Sequence, residues 1–457
     1  ALIGCILWDN KNYEKVSDFL DENHFVDETN KIIFTTIKNL LDKNILVSPI
    51  TLKNYLPDDN DNLNKVNYLN QLKDSTPSTQ NTYNYGKIIY DLYVKRNLVG
   101  VAQNIIQETN SNSTVAADHL IENAENELYN LSQSGNSDRS FVNFGNALQG
   151  AVEIISEAYK REGKIAGVPT GFKDLDNKLG GLHKSDLIII AGRPSMGKTA
   201  LGTNIAFNCA IKYLEEIDEF ENKKIIDGGK VAFFSLEMSS EQLSTRIISE
   251  QARISSNDIR RGRISDDQFD KFLETSKNIS ELPLYIDETP AITIAALSNR
   301  ARRIKRLFGL DMIVVDYIQL MRGTTFNKDG RVQEISQITQ GLKAIAKELS
   351  VPVVALSQLS RQVEQRDDNK PLLSDLRESG SIEQDADVVM FVYREAYYLQ
   401  RKEPRAATVE HAEWQAKMNE VAHLAQLIIG KQRHGPIGNV TLEFEERFTK
   451  FKDTQTN

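Results

Sequence analysis

The rhythm of hydrophobic and polar positions changes near Gly167. Upstream, apolar residues recur at helical spacing. Ile32, Ile33, Ile37, Leu40 and Leu41 form one stripe, and Ile88, Leu92, Val99 and Ile105 predict a longer helix. Alternating β-branched runs are scarce, so residues 1–131 are read as an all-α N-terminal domain. Ser132 to Ser140 (SQSGNSDRS) is polar with a glycine, as a linker would be. Phe144 to Arg161 then regains an amphipathic period through Leu148, Val152, Ile155 and Tyr159. Residues 132–165 are therefore expected to be a linker with one amphipathic helix, whose apolar stripe needs cover from a neighbouring subunit or its own domain.

Residues 166–457 read as an α/β domain. Short apolar runs alternate with helical segments: Leu187–Ala191, Val231–Phe234, Leu284–Ile286, Met312–Val315, Val353–Leu356 and Val388–Val392. That pattern predicts a largely parallel sheet with crossover helices, buried on both faces. Near the end, Leu427–Ile429 and Val440–Phe444 flank GKQRHGPIG, which predicts a hairpin tip. Lys212–Gly229 and the charged Ala396–His423 look like surface insertions.

Composition narrows the class. The 457 residues are 40% hydrophobic, enough for a large core, and no apolar run reaches the ~18 residues a membrane helix needs. The opening ALIGCILWDN lacks the basic flank of a signal peptide, and without a methionine the native N-terminus is expected upstream. Cys5 and Cys209 lie far apart and the six histidines show no metal spacing, so a zinc site or disulfide framework is not expected. A reducing, cytoplasmic setting follows. The net charge of −9 argues against coating nucleic acid with the whole surface but allows a local basic channel.

Gly192-Arg193-Pro194-Ser195-Met196-Gly197-Lys198-Thr199 matches the phosphate-cradling pattern G-x-x-x-x-G-K-[ST], between the strand DLIIIAG and a helix-forming run. Backbone N–H groups and the helix N-terminus favour phosphate oxygens there. Ser195, Gly197, Lys198, Thr199 and Ala200 are the expected ATP contacts. Lys198 would reach the β- and γ-phosphates and the Thr199 hydroxyl would bind Mg²⁺. Asp316, closing the apolar run MIVVD, would hold Mg²⁺ through water. Glu237, just past Val231–Phe234, is placed to polarise the attacking water, and Gln358, after Val353–Leu356, could hydrogen-bond the γ-phosphate and report its loss.

Together these motifs resemble the DnaB family of hexameric replicative DNA helicases over nearly the whole chain. The most specific stretches are LLSDLRESGSIEQDADVVMFVYR and IIGKQRHGPIG, joined by VAFFSLEMSSEQLSTR, MIVVDYIQLM and PVVALSQLSRQ. The resemblance implies a RecA-like ATPase domain that assembles into a homohexamer with ATP at subunit boundaries. It implies single-stranded DNA in the central channel, 5′ to 3′ polarity, and primase and a helicase loader as partners. It makes Glu237 the water-activating carboxylate, sets Arg246 against the nucleotide base, and sends Lys431 and Arg433 into the neighbour's site. The residues alone leave that basic tip open between a solvated turn and a finger acting in trans. The resemblance also assigns Arg377, Glu378 and Gly380 to a channel-lining loop holding the DNA backbone. Arg377 would supply charged donors and Gly380 close approach, although by itself the stretch reads as a solvated loop. The basic run Arg300, Arg302, Arg303, Lys305 and Arg306 reads as a solvated or intersubunit helix face rather than a DNA contact. A RecA-like recombinase, a clock-type ATPase and a non-enzymatic ATP-binding scaffold are the competing readings.

Overall fold

The computed structural model describes residues 1–56, 62–76, 78–111, 165–217, 223–323, 330–366 and 368–454, with scattered positions from 117 to 152. The predicted linker and its amphipathic helix fall mostly outside the described residues. The chain forms two compact units, Ala1–Val152 and Glu153–Asn457.

The first unit is helical. Leu2–Trp8, Glu28–Leu41, Pro49–Lys53, Asn62–Asp74 and Thr82–Ser111 are its main helices. Asp27 caps the second through the Asn30 N–H, and Ile33, Ile37 and Leu40 of the predicted stripe point inward. They close on Ile6, Phe34, Leu52 and Leu69. The long helix is present, but Ile88, Leu92 and Val99 of its predicted stripe are exposed, and Tyr85, Ile89 and Tyr90 pack on the core instead. A spacing match on one helix face does not say which face meets the core.

The second unit is built on a sheet. Its strands are β1 (Leu187–Gly192), β2 (Leu214–Ile217), β3 (Lys223–Asp227), β4 (Val231–Ser235), β5 (Leu284–Asp287), β6 (Met312–Asp316), β7 (Val353–Gln358), β8 (Val388–Tyr393), β9 (Leu424–Gln432), β10 (Gly438–Glu445) and β11 (Lys450–Asp453). Nine strands run in the order β11-β10-β9-β8-β1-β7-β6-β4-β5, while β2 and β3 form a separate hairpin. Strands β8, β1, β7, β6, β4 and β5 are parallel, and β9, β10 and β11 close the sheet antiparallel. Every residue of β1 is buried. Ile188 and Ile190 enter one core while Leu187, Ile189 and Ala191 enter the other. The same alternation runs through β4, β6, β7 and β8, which explains why these strands read as unbroken apolar runs.

Two sequence expectations change here. The stretch Ala396–His423 is not wholly a surface insertion. Its first helix, Glu395–Gln400, buries Ala396 and Tyr398, and only the second, Val409–Val421, has no buried residue. The expected loop at Asp375–Gly380 is a 3-10 segment, Leu373–Ser379, that runs into the helix Gly380–Asp385. Leu376 and Ile382, buried in one core, hold it against the sheet, an anchorage that polar composition alone hides.

Candidate nucleotide site

The parallel ladders bring the carboxyl ends of four strands to one edge. Gly192 pairs with Gln358, the last residues of β1 and β7, and Ser235 pairs with Asp316, the last of β4 and β6. Ile189 and Val315 both pair with Ala355, so Asp316 ends β6 two residues short of the level of Gly192 and Gln358, at the same edge of the sheet. Crevices beyond such ends are where open α/β sheets bind ligands.

The loop after β1 turns into the helix Lys198–Ile211. Ser195 and Gly197 adopt left-handed backbone, φ 67° and 99°, which curls successive N–H groups into an anion-binding concavity. A Cβ at Gly197 would come within 2.9 Å of the Phe451 ring, so only glycine satisfies both conformation and space. Met196 and Ala200 are buried beneath the loop. The Lys198 ammonium donates to the Arg193 carbonyl at 3.2 Å. Burial lowers its pKa to about 8, opposed by the Asp316 and Glu237 carboxylates.

Asp316 is 1% exposed, and neither of its carboxylate oxygens has a hydrogen-bond partner. Burial pushes its pKa up to about 6. The Thr199 hydroxyl, close enough to lower that value though not bonded, opposes burial, as do Lys198 and Arg246, while Glu237 adds to it. A buried carboxylate with both oxygens open beside a hydroxyl is short of a cation. The donor set fits Mg²⁺, which takes one or two protein oxygens and completes its shell with water and phosphate. Among the described residues no group of three or more His, Cys, Asp or Glu could hold a metal without that help.

Glu237 is exposed two residues past β4, and its charge acts on both Lys198 and Asp316. Arg246 lies on the helix Ser240–Ala252 with Nη1 3.6 Å from the Met238 sulfur. Burial lowers its pKa, against the pull of Asp316, Glu250 and Glu237, so it faces the carboxylate edge of the site. Gln358 ends β7 beside the loop. Lys198, Thr199, Glu237, Arg246, Asp316 and Gln358 thus gather at one edge.

Two contributors carried no sequence signal of their own. Arg193, an unspecified position of the loop motif, is buried with Nε 2.9 Å from Glu364 Oε1 and Nη1 2.9 Å from the Leu359 carbonyl, which ties the loop to the chain after β7. Gln319, three residues past Asp316, bonds the end of β7.

Lys431 and Arg433 do not join this edge. Lys431 is not in the hairpin tip. It lies in β9, paired with Val389, and the turn begins at Arg433. Because β9 runs antiparallel to β8, its end sits at the opposite edge, where Gln432 pairs with Val388, the first residue of β8. The Arg433 guanidinium donates to the Gln384 carbonyl at 2.9 Å and lies 3.5 Å from Asp387 Oδ1. Lys431 donates to the Glu383 carbonyl. Both cations therefore cap the C-terminal end of the helix Gly380–Asp385. Six residues of strand, ~20 Å at ~3.3 Å each, separate that edge from the loop.

Arg377, Glu378 and Gly380 lie where the 3-10 segment becomes this helix, and their side chains fall outside the described residues. The basic run lies on the helix Ile294–Leu307. Arg300 pairs with Asp287 at 2.6 Å, Arg302 with Glu348 at 2.5 Å, and Lys305 donates to the Leu349 carbonyl. These intrachain partners favour the face reading over DNA contact.

Known proteins agree with this architecture. Residues 167–453 match the model of the DnaB-like helicase C terminal domain, and residues 1–91 that of the DnaB-like helicase N terminal domain. The chain is 46% identical to the replicative DNA helicase DnaB of Rickettsia typhi, over 98% of this chain and 90% of that protein. It is 36% identical to that of Geobacillus stearothermophilus, over 99% and 92%. A solved structure described as a DnaB-like replicative helicase and its interactions with primase superposes with a TM-score of 0.69 at 30% identity, over 99% of this chain and 98% of that one. A second solved structure, described as an ATPase domain, superposes at 0.57 and 34% identity, over 69% and 100%. These matches set aside the recombinase and clock-type readings: the chain belongs to the DnaB family of replicative DNA helicases.

Proposed function

We propose that this chain is the subunit of a homohexameric, Mg²⁺- and ATP-dependent helicase that encircles single-stranded DNA and unwinds duplex at the replication fork. The observation that supports the reading is that the candidate nucleotide residues fall at two edges of one sheet. The loop, Asp316, Glu237 and Gln358 share one edge, while Arg433 sits at the other, ~20 Å away by strand length. One chain cannot close the site, but a head-to-tail ring would bring Arg433 of one subunit to the loop of the next.

In that arrangement the main-chain N–H groups of Ser195 to Ala200 hold the phosphates, and Lys198 neutralises their charge. Thr199 and Asp316 would hold Mg²⁺, which would supply positive charge beside the phosphates. Glu237 orients a water and takes its proton, Gln358 bonds the γ-phosphate, and Arg246 packs against the base. Lys431 and Arg433 stabilise charge on the neighbour's γ-phosphate. Arg377, Glu378 and Gly380 hold the DNA backbone without reading sequence, as a motor on any template requires. The 5′ to 3′ polarity, primase and loader as partners, and cytoplasmic localisation follow the family. Among the described residues no helix is long and apolar enough to cross a membrane. We place the domain limits at 1–131, 132–165 and 166–457. Electron microscopy with a non-hydrolysable ATP analogue and DNA tests the assembly: closed six-membered rings support it, and filaments or isolated chains refute it.

Glu237→Gln should bind ATP normally and hydrolyse it at least ~10²-fold more slowly, the usual loss for a general base. Single-turnover hydrolysis alongside equilibrium binding checks this; normal chemistry with lost binding would give Glu237 another role.

Nucleotide binding should depend on pH with a sign fixed by two groups. Phosphate favours protonated Lys198, with a free-state pKa of about 8, so affinity should fall about tenfold per pH unit above that value. Mg²⁺ favours ionised Asp316, near 6, so Mg²⁺-dependent affinity should fall as pH drops below that value. Calorimetric titration of Mg²⁺ with an ATP analogue from pH 5 to 9.5 reads both limbs. Asp316→Asn, measured in parallel, should lose the protein's share of the acid limb and move the alkaline limb to lower pH, because the Asp316 charge no longer supports the Lys198 ammonium.

A further inference from the structure

Strand β7 outlasts its neighbour. The β6–β7 ladder ends at Val315–Ala355, whereas β7 stays paired with β1 to its last residue, Gln358. Both main-chain groups of a strand residue face the same neighbour. On the β1 side the Gly192 carbonyl accepts from Leu359 N–H at 3.3 Å, so the N–H and C=O of Gln358 face the β6 side, where the strand has ended. Left alone, those two groups would be unpaired at the edge of a buried sheet.

The Gln319 side chain meets them both. Its Oε1 accepts from the Gln358 N–H at 3.2 Å, and its Nε2 donates to the Gln358 carbonyl at 3.3 Å and to the buried Ser357 hydroxyl at 3.0 Å. Gln319 lies in the short 3-10 turn Ile318–Leu320 directly after β6. Its own carbonyl accepts from Arg331 at the start of the helix Arg331–Leu349. A primary amide has the same donor–acceptor pair as a peptide group, so this side chain can replace one missing strand residue.

We propose that Gln319 is a positioning residue for γ-phosphate recognition: its amide stands in for the absent strand partner and fixes the Gln358 peptide, and with it the aim of the Gln358 side chain. This rests on the reading of Gln358 as the γ-phosphate contact. It also ties the strand carrying the Mg²⁺ carboxylate to the strand carrying that contact, through one side chain.

The test compares affinities for ADP and for the imido analogue of ATP, with Mg²⁺, on the full chain by calorimetry. Gln319→Met keeps length and loses every hydrogen bond. It should lower the analogue-to-ADP affinity ratio about tenfold, the scale of one or two neutral hydrogen bonds, with ADP affinity held within about twofold. Gln358→Ala should lower the same ratio, and adding Gln319→Met to it should lower it no further. If Gln319→Met does not fold, Gln319→Asn, one methylene short of spanning both groups, should shift the ratio the same way. A ratio left intact by the folded Gln319 variant, while Gln358→Ala reduces it, overturns the role of Gln319. Additive losses in the double variant overturn it too. A ratio unmoved by Gln358→Ala refutes the γ-phosphate reading itself.

Discussion

Arg433→Ala should reduce ATP turnover by ~10³–10⁵, the effect of removing an arginine finger, while nucleotide affinity stays close to wild type. The magnitude follows from where the residue sits. At the edge opposite its own loop, Arg433 adds nothing to binding within one chain, but across a ring interface it can meet charge that develops in the transition state. Within its own chain it is held by the Gln384 carbonyl and Asp387, so it needs no nucleotide to be ordered. Mixing gives a sharper outcome. Arg433→Ala and Lys198→Ala rings should each be inactive. Mixed rings contain interfaces where an intact loop meets an intact Arg433, and these should recover measurable hydrolysis. Recovery absent at every mixing ratio, in rings shown to have exchanged subunits, would count against action in trans.

Lys198→Ala should abolish hydrolysis, with a loss of at least ~10²–10³ expected from removing a preorganised charge from a phosphate site. The consequence reaches Asp316, whose carboxyl is held down in part by the Lys198 charge. Without that charge the Asp316 pKa rises further and Mg²⁺ binding weakens at neutral pH as well. Ring assembly should survive, because the ammonium's described partner is the Arg193 carbonyl of its own loop. Steady-state turnover with sedimentation analysis checks both halves. Normal turnover would remove Lys198 from the site.

Much of this site was legible before folding because its strands are buried on both faces. Such strands read as apolar runs, and the residues that terminate them (Gly192, Asp316 and, after Ser357, Gln358) stand out as the polar or flexible positions that follow. What the residues alone could not carry depends on pairing. The work of Gln319 exists only because β6 stops short of β7, and strand length is not written in any one residue. Lys431 reads as part of a glycine-rich tip, but its main chain is in the ladder with Val389. The stretch Asp375–Gly380 reads as a loop from its charges, yet Leu376 and Ile382, buried in one core, anchor a 3-10 segment, kinked at Leu376, that runs into a helix. Arg193 occupies a position the loop motif leaves unspecified, and its anchor Glu364 lies 171 residues away.

If this chain uses ATP to separate DNA strands as a ring threaded on one of them, the polarity of its tracking strand can be read directly. The most direct measurement is displacement of a labelled strand from forked duplexes that differ only in having a free 5′ or a free 3′ single-stranded arm. Displacement should require ATP, Mg²⁺ and a free 5′ arm, and should be lost in Lys198→Ala and Arg433→Ala. Closed rings that bind ATP and the fork yet displace nothing would contradict the helicase reading and leave a nucleotide-binding scaffold in its place.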